Sequence, residues 1–245
     1  PPAKPRSAPP DGRALKELNA ARCTLVGGHT IEGPQMAAGF TVNCAAPPAD
    51  LWHKSGARPG DVLILTKSLG TGIQLAGLMH DLSRGPWLDA TLDSMLRSNG
   101  LARDAMAPLA PNACTDITGF GLLGHLLELC EQSNLDARLD LDGLSLLPGT
   151  EELVARGVVS TLKPANDQVL TRCEHRDIAD DDPRLAAATD PQTSGGLLFS
   201  VDPGLRDAAL AALTQAGVKA AVIGDMSVKD HKALTCIILN RNAPC

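Results

Sequence analysis

A layered α/β (α+β) fold follows from three features of the sequence. Val62-Leu-Ile-Leu65 is a continuous apolar run behind the turn residues Arg58-Pro-Gly-Asp61, the pattern of a strand buried on both faces. Helical periodicity recurs along the chain, most clearly at Leu122, Leu126 and Leu129. Strands and helices alternate without strict βαβ order, which favours a layer of helices on one face of a single sheet. Phe40, Phe120, Phe199, Trp52 and Trp87 are the only aromatic rings besides histidine, so Leu, Val, Ile and Ala are expected to build the core.

Taken in order, residues 1–12 hold five of the prolines within their first ten positions and read as an extended linker. Leu15, Leu18 and Ala21 share a helical face within 13–23. The apolar stretches 23–26 and 39–45 are expected as strands, the first ended by Gly27-Gly28 and the second by Pro47-Pro48. After the 62–65 strand, a glycine loop leads into a helix over 73–80. A second helical region covers 91–106, interrupted near Asn99-Gly100, and a third covers 121–130. Ala137, Leu139 and Leu141 predict a strand with Arg138 and Asp140 facing outward. A short helix at 151–156 closes on Gly157, and the acidic stretch 172–184 is expected on the surface. A strand at 197–201, a helix at 205–215 stopped by Gly217, and strands at 220–223 and 234–239 complete the chain.

The net charge of −6, with Lys and Arg scattered along the chain, argues against a nucleic-acid surface. No apolar run reaches the roughly 18–20 residues of a membrane helix, so no membrane partner is expected. Seven cysteines without a Cys-x-x-Cys pair read as free thiols of a reducing, cytoplasmic compartment.

Four segments can carry chemistry. Lys67-Ser-Leu-Gly-Thr-Gly72 sits between strand and helix, where amides can hold a phosphate, although a tight turn is the simpler reading. Asp116, in Asp116-Ile-Thr-Gly-Phe-Gly-Leu-Leu-Gly-His125, is either a helix cap, alternatively with Thr118, or one carboxylate of a magnesium site; the cap is favoured from the residues alone. His125 and Glu128 share a helix face, and a buried, hydrogen-bonded histidine is preferred there to a metal ligand. Asp190-Pro-Gln-Thr-Ser-Gly-Gly196 and Gly27-Gly28-His29-Thr30 read first as turns, with phosphate contacts as the alternative.

In this order and spacing, these segments resemble selenophosphate synthetase (selenide, water dikinase), a family with the aminoimidazole-ribonucleotide (AIR) synthetase-like fold. The resemblance covers about residues 13–239 and includes Asn99 and Asn166. It implies a dimeric two-domain enzyme that makes selenophosphate from selenide, ATP and water, releasing AMP and phosphate. Asp116 then matches a magnesium ligand, and Gly27, Gly28 and His29 match a segment contacting ATP across the dimer. Residues 13–50 correspond to the tail of the amino-terminal ATP-binding domain, and 54–245 to the complete carboxy-terminal domain. The family's catalytic Cys and Lys have no counterpart here, since Cys23 and Lys16 stand in the wrong context. Ser68 replaces a common Pro, and Phe40-Thr-Val-Asn-Cys44 departs from the family's apolar strand. The expectation is a portion of the enzyme that is incomplete for catalysis by itself; the alternative is a non-catalytic scaffold that pairs with an intact synthetase.

Overall fold

The computed structural model describes residues 11–29, 32–34, 37–174, 178–230 and 236–241. It divides into two units, Pro1–Ala46 and Pro47–Cys245. In the first, α1 (Asp11–Ala20) is followed by irregular backbone. The strands expected at 23–26 and 39–45 do not form; Val26, Phe40 and Val42 are 90%, 67% and 69% exposed. An apolar run becomes a strand only when a neighbour supplies ladder hydrogen bonds and a surface to pack on. No described segment of this unit does so. The proline-rich residues 1–10 lie outside the described residues.

The second unit opens with β1 (Val62–Leu65), α2 (Thr71–Met79), α3 (Gly85–Leu96), α4 (Gly100–Met106) and β2 (Ala113–Asp116). It continues through α5 (Gly121–Ser133), β3 (Leu135–Asp140), α6 (Thr150–Ala155), α7 (Lys163–Asn166) and β4 (Cys173–Glu174). The last elements are α8 (Pro183–Thr189), β5 (Leu197–Val201), α9 (Arg206–Gln215), β6 (Ala221–Val228) and β7 (Ile237–Asn240). The break between α3 and α4 falls at the expected Asn99-Gly100, while Pro86 in the first turn of α3 moves the helix start ahead of the expected position. Gly157 and Gly217, both at positive φ, follow α6 and α9 as predicted.

The strands of the described residues form one seven-stranded sheet in the order β2-β5-β1-β6-β3-β7-β4. The pairs from β2 through β3 are antiparallel, and β7 lies parallel to both β3 and β4. At the β1–β6 pairing Leu63 faces Gly224 and Ile64 faces Val222, leaving Ile223 as the extra residue of a bulge. A side chain at Gly224 would overlap the carbonyl oxygen of Arg138, so the bulge requires glycine there.

Alternation along β1 separates two cores. Leu63 and Leu65 join Leu122, Leu126 and Leu129 of α5 on one side, whereas Ile64 joins Phe199, Met106 of α4 and Leu213 of α9 on the other. Helices thus cover both faces, correcting the one-face expectation. The second layer is rich in small residues, such as Ala102 and Ala209, whose apolar stripe is weak in sequence. Asp140, expected outward, is 7% exposed because its carboxylate turns back to accept the amide of Asp142 at 3.0 Å. The stretch 172–184 is also not wholly a surface excursion: Cys173 is buried in β4 against β7, and Asp182 caps α8. The strand expected at 234–239 is β7, which begins at Ile237; residues 234 and 235 lie outside the described set.

Candidate functional site

Because β2, β5 and β1 are neighbours, the loops at one end of these three strands meet. The chain leaves β1 at Leu65 and β2 at Asp116 and enters β5 at Leu197; Leu65 pairs with Leu198 and Asp116 with Leu197. This brings together three of the four segments singled out in the sequence: 67–72, 116–121 and 190–196. Gly27, Gly28 and His29 belong to the other unit, where all three are exposed. A methyl group added to either glycine would meet nothing within 4 Å.

The loops are joined by side chains that bond to backbone. Gln192 Oε1 accepts from the amides of Gly70 and Thr71 at 3.1 and 3.2 Å and from the Thr71 hydroxyl at 3.2 Å. Asp190 Oδ2 accepts from the amide of Ile73 at 3.1 Å and from Gln192 Nε2 at 3.1 Å. The first-turn amides of α2, which a phosphate would need, are therefore occupied by groups of this chain. The 67–72 loop is a turn with an internal cap. Its glycines serve close approach: a Cβ on Gly72 would lie 2.5 Å from Asp190 Oδ1.

Asp190 is fully buried, and its Oδ1 has no partner of hydrogen-bonding geometry. Burial pushes its carboxyl up from 3.8 to about 7, against the pull of the Ile73 and Gly72 amides, Gln192 and the Lys163 charge. Lys163 reaches Asp167 at 2.7 Å and the Thr189 hydroxyl at 3.3 Å. Asn166 donates to the carbonyls of Gly119 and Thr189, at 2.9 and 3.0 Å, and Asn99 donates to that of Gly195 at 2.9 Å. The two asparagines thus fasten the 116–121 and 190–196 loops. Lys67 donates to the carbonyls of Arg97 and Ser194 at 2.7 and 2.8 Å, and burial, followed by the Arg97 charge, lowers its pKa.

Asp116 ends β2 with its side chain exposed. Neither Asp116 nor Thr118 caps α5, so the cap favoured by the residues alone is absent; Thr118 faces His125 Nε2 at 3.0 Å instead. His125 is 4% exposed, and burial and the Lys54 charge lower its pKa, against the opposing charges of Asp116 and Glu128. Glu128 pairs with Lys54 at 2.6 Å. The buried-histidine reading holds, and no group of three or more His, Cys, Asp or Glu that could hold a metal comes together among the described residues. Asp116 would bring one unengaged carboxylate to magnesium, a partial fit that leaves every other ligand to a polyphosphate, water or residues elsewhere. Sequence reasoning missed Gln192 and Asp190 as the organisers of the cluster. Both stand in the motif that was singled out, but their targets lie 121 and 117 positions away.

Among the described residues no helix is long and apolar enough to cross a membrane. Of curated relatives, a selenide, water dikinase of Trichlorobacter lovleyi is 38% identical over 211 residues, covering 85% of this chain and 60% of that protein. One of Geobacter metallireducens is 37% identical over 210 residues, covering 86% and 61%. These matches bear out the resemblance read from the motifs, and the chain spans about 60% of the length of the relatives it matches. Among solved structures, a thiamine-monophosphate kinase from Stenotrophomonas maltophilia is similar with a TM-score of 0.57 at 16% identity, over 78% of this chain and 54% of that one. The hydrogenase maturation protein HypE in complex with ATP gives 0.53 at 17% identity, over 78% and 50%. Both likenesses are of fold. The family described as "AIR synthase related protein, C-terminal domain" matches residues 58–237, and with the mixed sheet and its two helical layers this chain belongs to that family.

Proposed function

We propose that this chain is a portion of a selenide, water dikinase, which converts selenide, ATP and water to selenophosphate, AMP and phosphate. The observation that carries this reading is the 37–38% identity to relatives of that name over about 210 residues, a span that requires most of the second unit. The fastening of the 67–72, 116–121 and 190–196 loops at one end of the sheet supports it, because it holds the exposed Asp116 on a rigid base.

In this reading Asp116 is one ligand of a magnesium that accompanies the ATP phosphates, and Gly27, Gly28 and His29 contact ATP within a homodimer. The glycines would leave room for phosphate oxygens to approach the backbone, consistent with the open space around both. The reaction takes place in the cytoplasm. By themselves the 245 residues are expected to turn over little or no ATP, since they span about 60% of the relatives' length.

The test uses the longest reading frame containing these residues, expressed in a strain that lacks selenophosphate synthesis. Restored selenium-dependent enzyme activity, with AMP and selenophosphate formed in vitro from ATP, magnesium and selenide, is the expected result. Absence of both products from a folded protein sinks the reading. Adding the 245-residue chain to an intact synthetase separates out the scaffold role, which predicts a changed rate or a stable complex.

A further inference from the structure

A concave site lies beside the loop cluster. Lys67 and Ser68, which follow β1, Asp93 and Ser94 of α3, Arg97 just beyond it, and Lys219 ahead of β6 line a cavity of about 280 Å³. Lys67, Ser68 and Lys219 also line an adjoining pocket of about 70 Å³. Three cations face one carboxylate here. Several cations elsewhere in this unit meet acids directly, as in Lys54–Glu128, Arg138–Asp225 and Lys163–Asp167. The Arg97 guanidinium, the Lys219 ammonium and the Asp93 carboxylate make no such pair among the described residues, and the hydroxyls of Ser68 and Ser94 have no hydrogen-bond partner there.

Lys67 is the fixed element of the group. Its ammonium is half-buried and held by two carbonyl acceptors, which leaves one of its three N–H donors. One of these acceptors belongs to Ser194, whose backbone sits in the left-handed region at φ 51°. The ammonium is thus oriented before any ligand arrives, lowering the ordering cost of binding. Like charges left together at a partly desolvated site are relieved by an anion, and hydroxyl donors suit a polyoxygen anion more than a halide. No aromatic ring lines the cavity, so nothing there would stack on a base.

We propose that this cavity binds a tetrahedral phosphate-type oxyanion, free orthophosphate or the terminal group of a phosphomonoester, through Lys67, Arg97, Lys219 and the Ser68 and Ser94 hydroxyls. The proposal does not rest on the dikinase reading, because the cavity and its charges belong to this chain whatever reaction the whole protein performs.

The experiment is isothermal titration of the 245-residue chain with sodium phosphate, and separately with AMP and with adenosine, at low and constant ionic strength. Arg97→Glu and Lys219→Glu are the variants; both positions are exposed, and circular dichroism melts check that the fold is kept. Arg103→Glu, on α4 and paired with Asp104, is the control. Saturable binding of phosphate, AMP or both is expected, weakened at least tenfold, or about 1.4 kcal/mol, by each variant and unchanged by the control. If AMP binds tighter than phosphate, and adenosine not at all, the ester is the ligand; equal affinities assign free phosphate. The proposal is overturned if neither phosphate nor AMP saturates the chain, or if the variants bind as the control does.

Discussion

Gln192 caps the helix that begins at Thr71: its side-chain oxygen accepts from both the amide and the hydroxyl of Thr71, each at 3.2 Å, while Thr71 Oγ1 accepts from the amide of Thr193 at 2.8 Å. The groups of Gly70, Thr71 and Gln192 are buried, so no water replaces a lost partner. Gln192→Leu strands the amides of Gly70 and Thr71 and removes a donor from Asp190. A loss of about 2–4 kcal/mol is expected, read from urea unfolding midpoints at constant slope.

Asp190 makes stability depend on pH. With its folded pKa at about 7 against 3.8 for the ordinary group, the folded chain retains a proton that the unfolded chain has released. Its contribution is therefore full below the unfolded value and is lost as pH rises through about 7. Asp190→Asn keeps an acceptor for the Ile73 amide and removes the titration. The difference in unfolding free energy between pH 5 and pH 8 should shrink in the variant; an unchanged slope would refute the assignment.

His125 works in the opposite direction. Burial lowers its pKa, so the neutral ring is favoured by folding; the stability it brings is present above 6.5 and is lost as pH falls below. His125→Gln preserves a partner for the Thr118 hydroxyl and should abolish that acid-side loss while leaving the Asp190 slope in place. Urea titrations of the two single variants and the double variant separate the two effects.

Neighbouring positions of one loop should respond with opposite sign. Gly195 lies against the carbonyl oxygen of Ile117, and a methyl there would overlap it; Gly195→Ala is expected to cost about 1–3 kcal/mol. Ser194, one residue earlier, holds a left-handed φ of 51° that suits glycine better. Ser194→Gly relieves a strain of roughly 1–2 kcal/mol, offset in part by added chain entropy when unfolded, so a small rise in melting temperature is expected.

Asp116→Ala should leave stability within about 0.5 kcal/mol, because the side chain is exposed and its carboxylate engages no described donor. In the longest reading frame the same change should weaken magnesium-dependent ATP binding. Equal binding by the variant would remove Asp116 from the proposed ligand set.

Local pattern was sufficient wherever one segment decides its own structure. The apolar run of β1, the leucine stripe of α5 and the glycines after α6 and α9 are each visible within a dozen residues. The run 23–26 shows the limit of such reasoning, since it has a strand's composition and no partner among the described residues of its unit. The candidate site was half visible: its three loops stand out as glycine-rich punctuation, whereas what joins them does not. Gln192 and Asp190 look like turn residues until the sheet brings β5 beside β1, and only then do their side chains meet α2. Likewise, nothing local distinguishes Lys219 from any exposed lysine; its place in the cavity follows from β6 lying next to β1.

The placement of β7 sets a timetable for synthesis. This strand, late in the chain, is inserted between β3 and β4, both made far earlier, and completes the parallel edge of the sheet. Until residue 240 clears the ribosome, β3 has an open flank and β4, two residues long, lacks its described partner. The antiparallel half can assemble once β6 has emerged, and β4, with the buried Cys173, meets its partner strand only afterwards. Nascent chains arrested before Ile237 should therefore expose an unpaired edge, the state in which a chaperone would find this protein during its making.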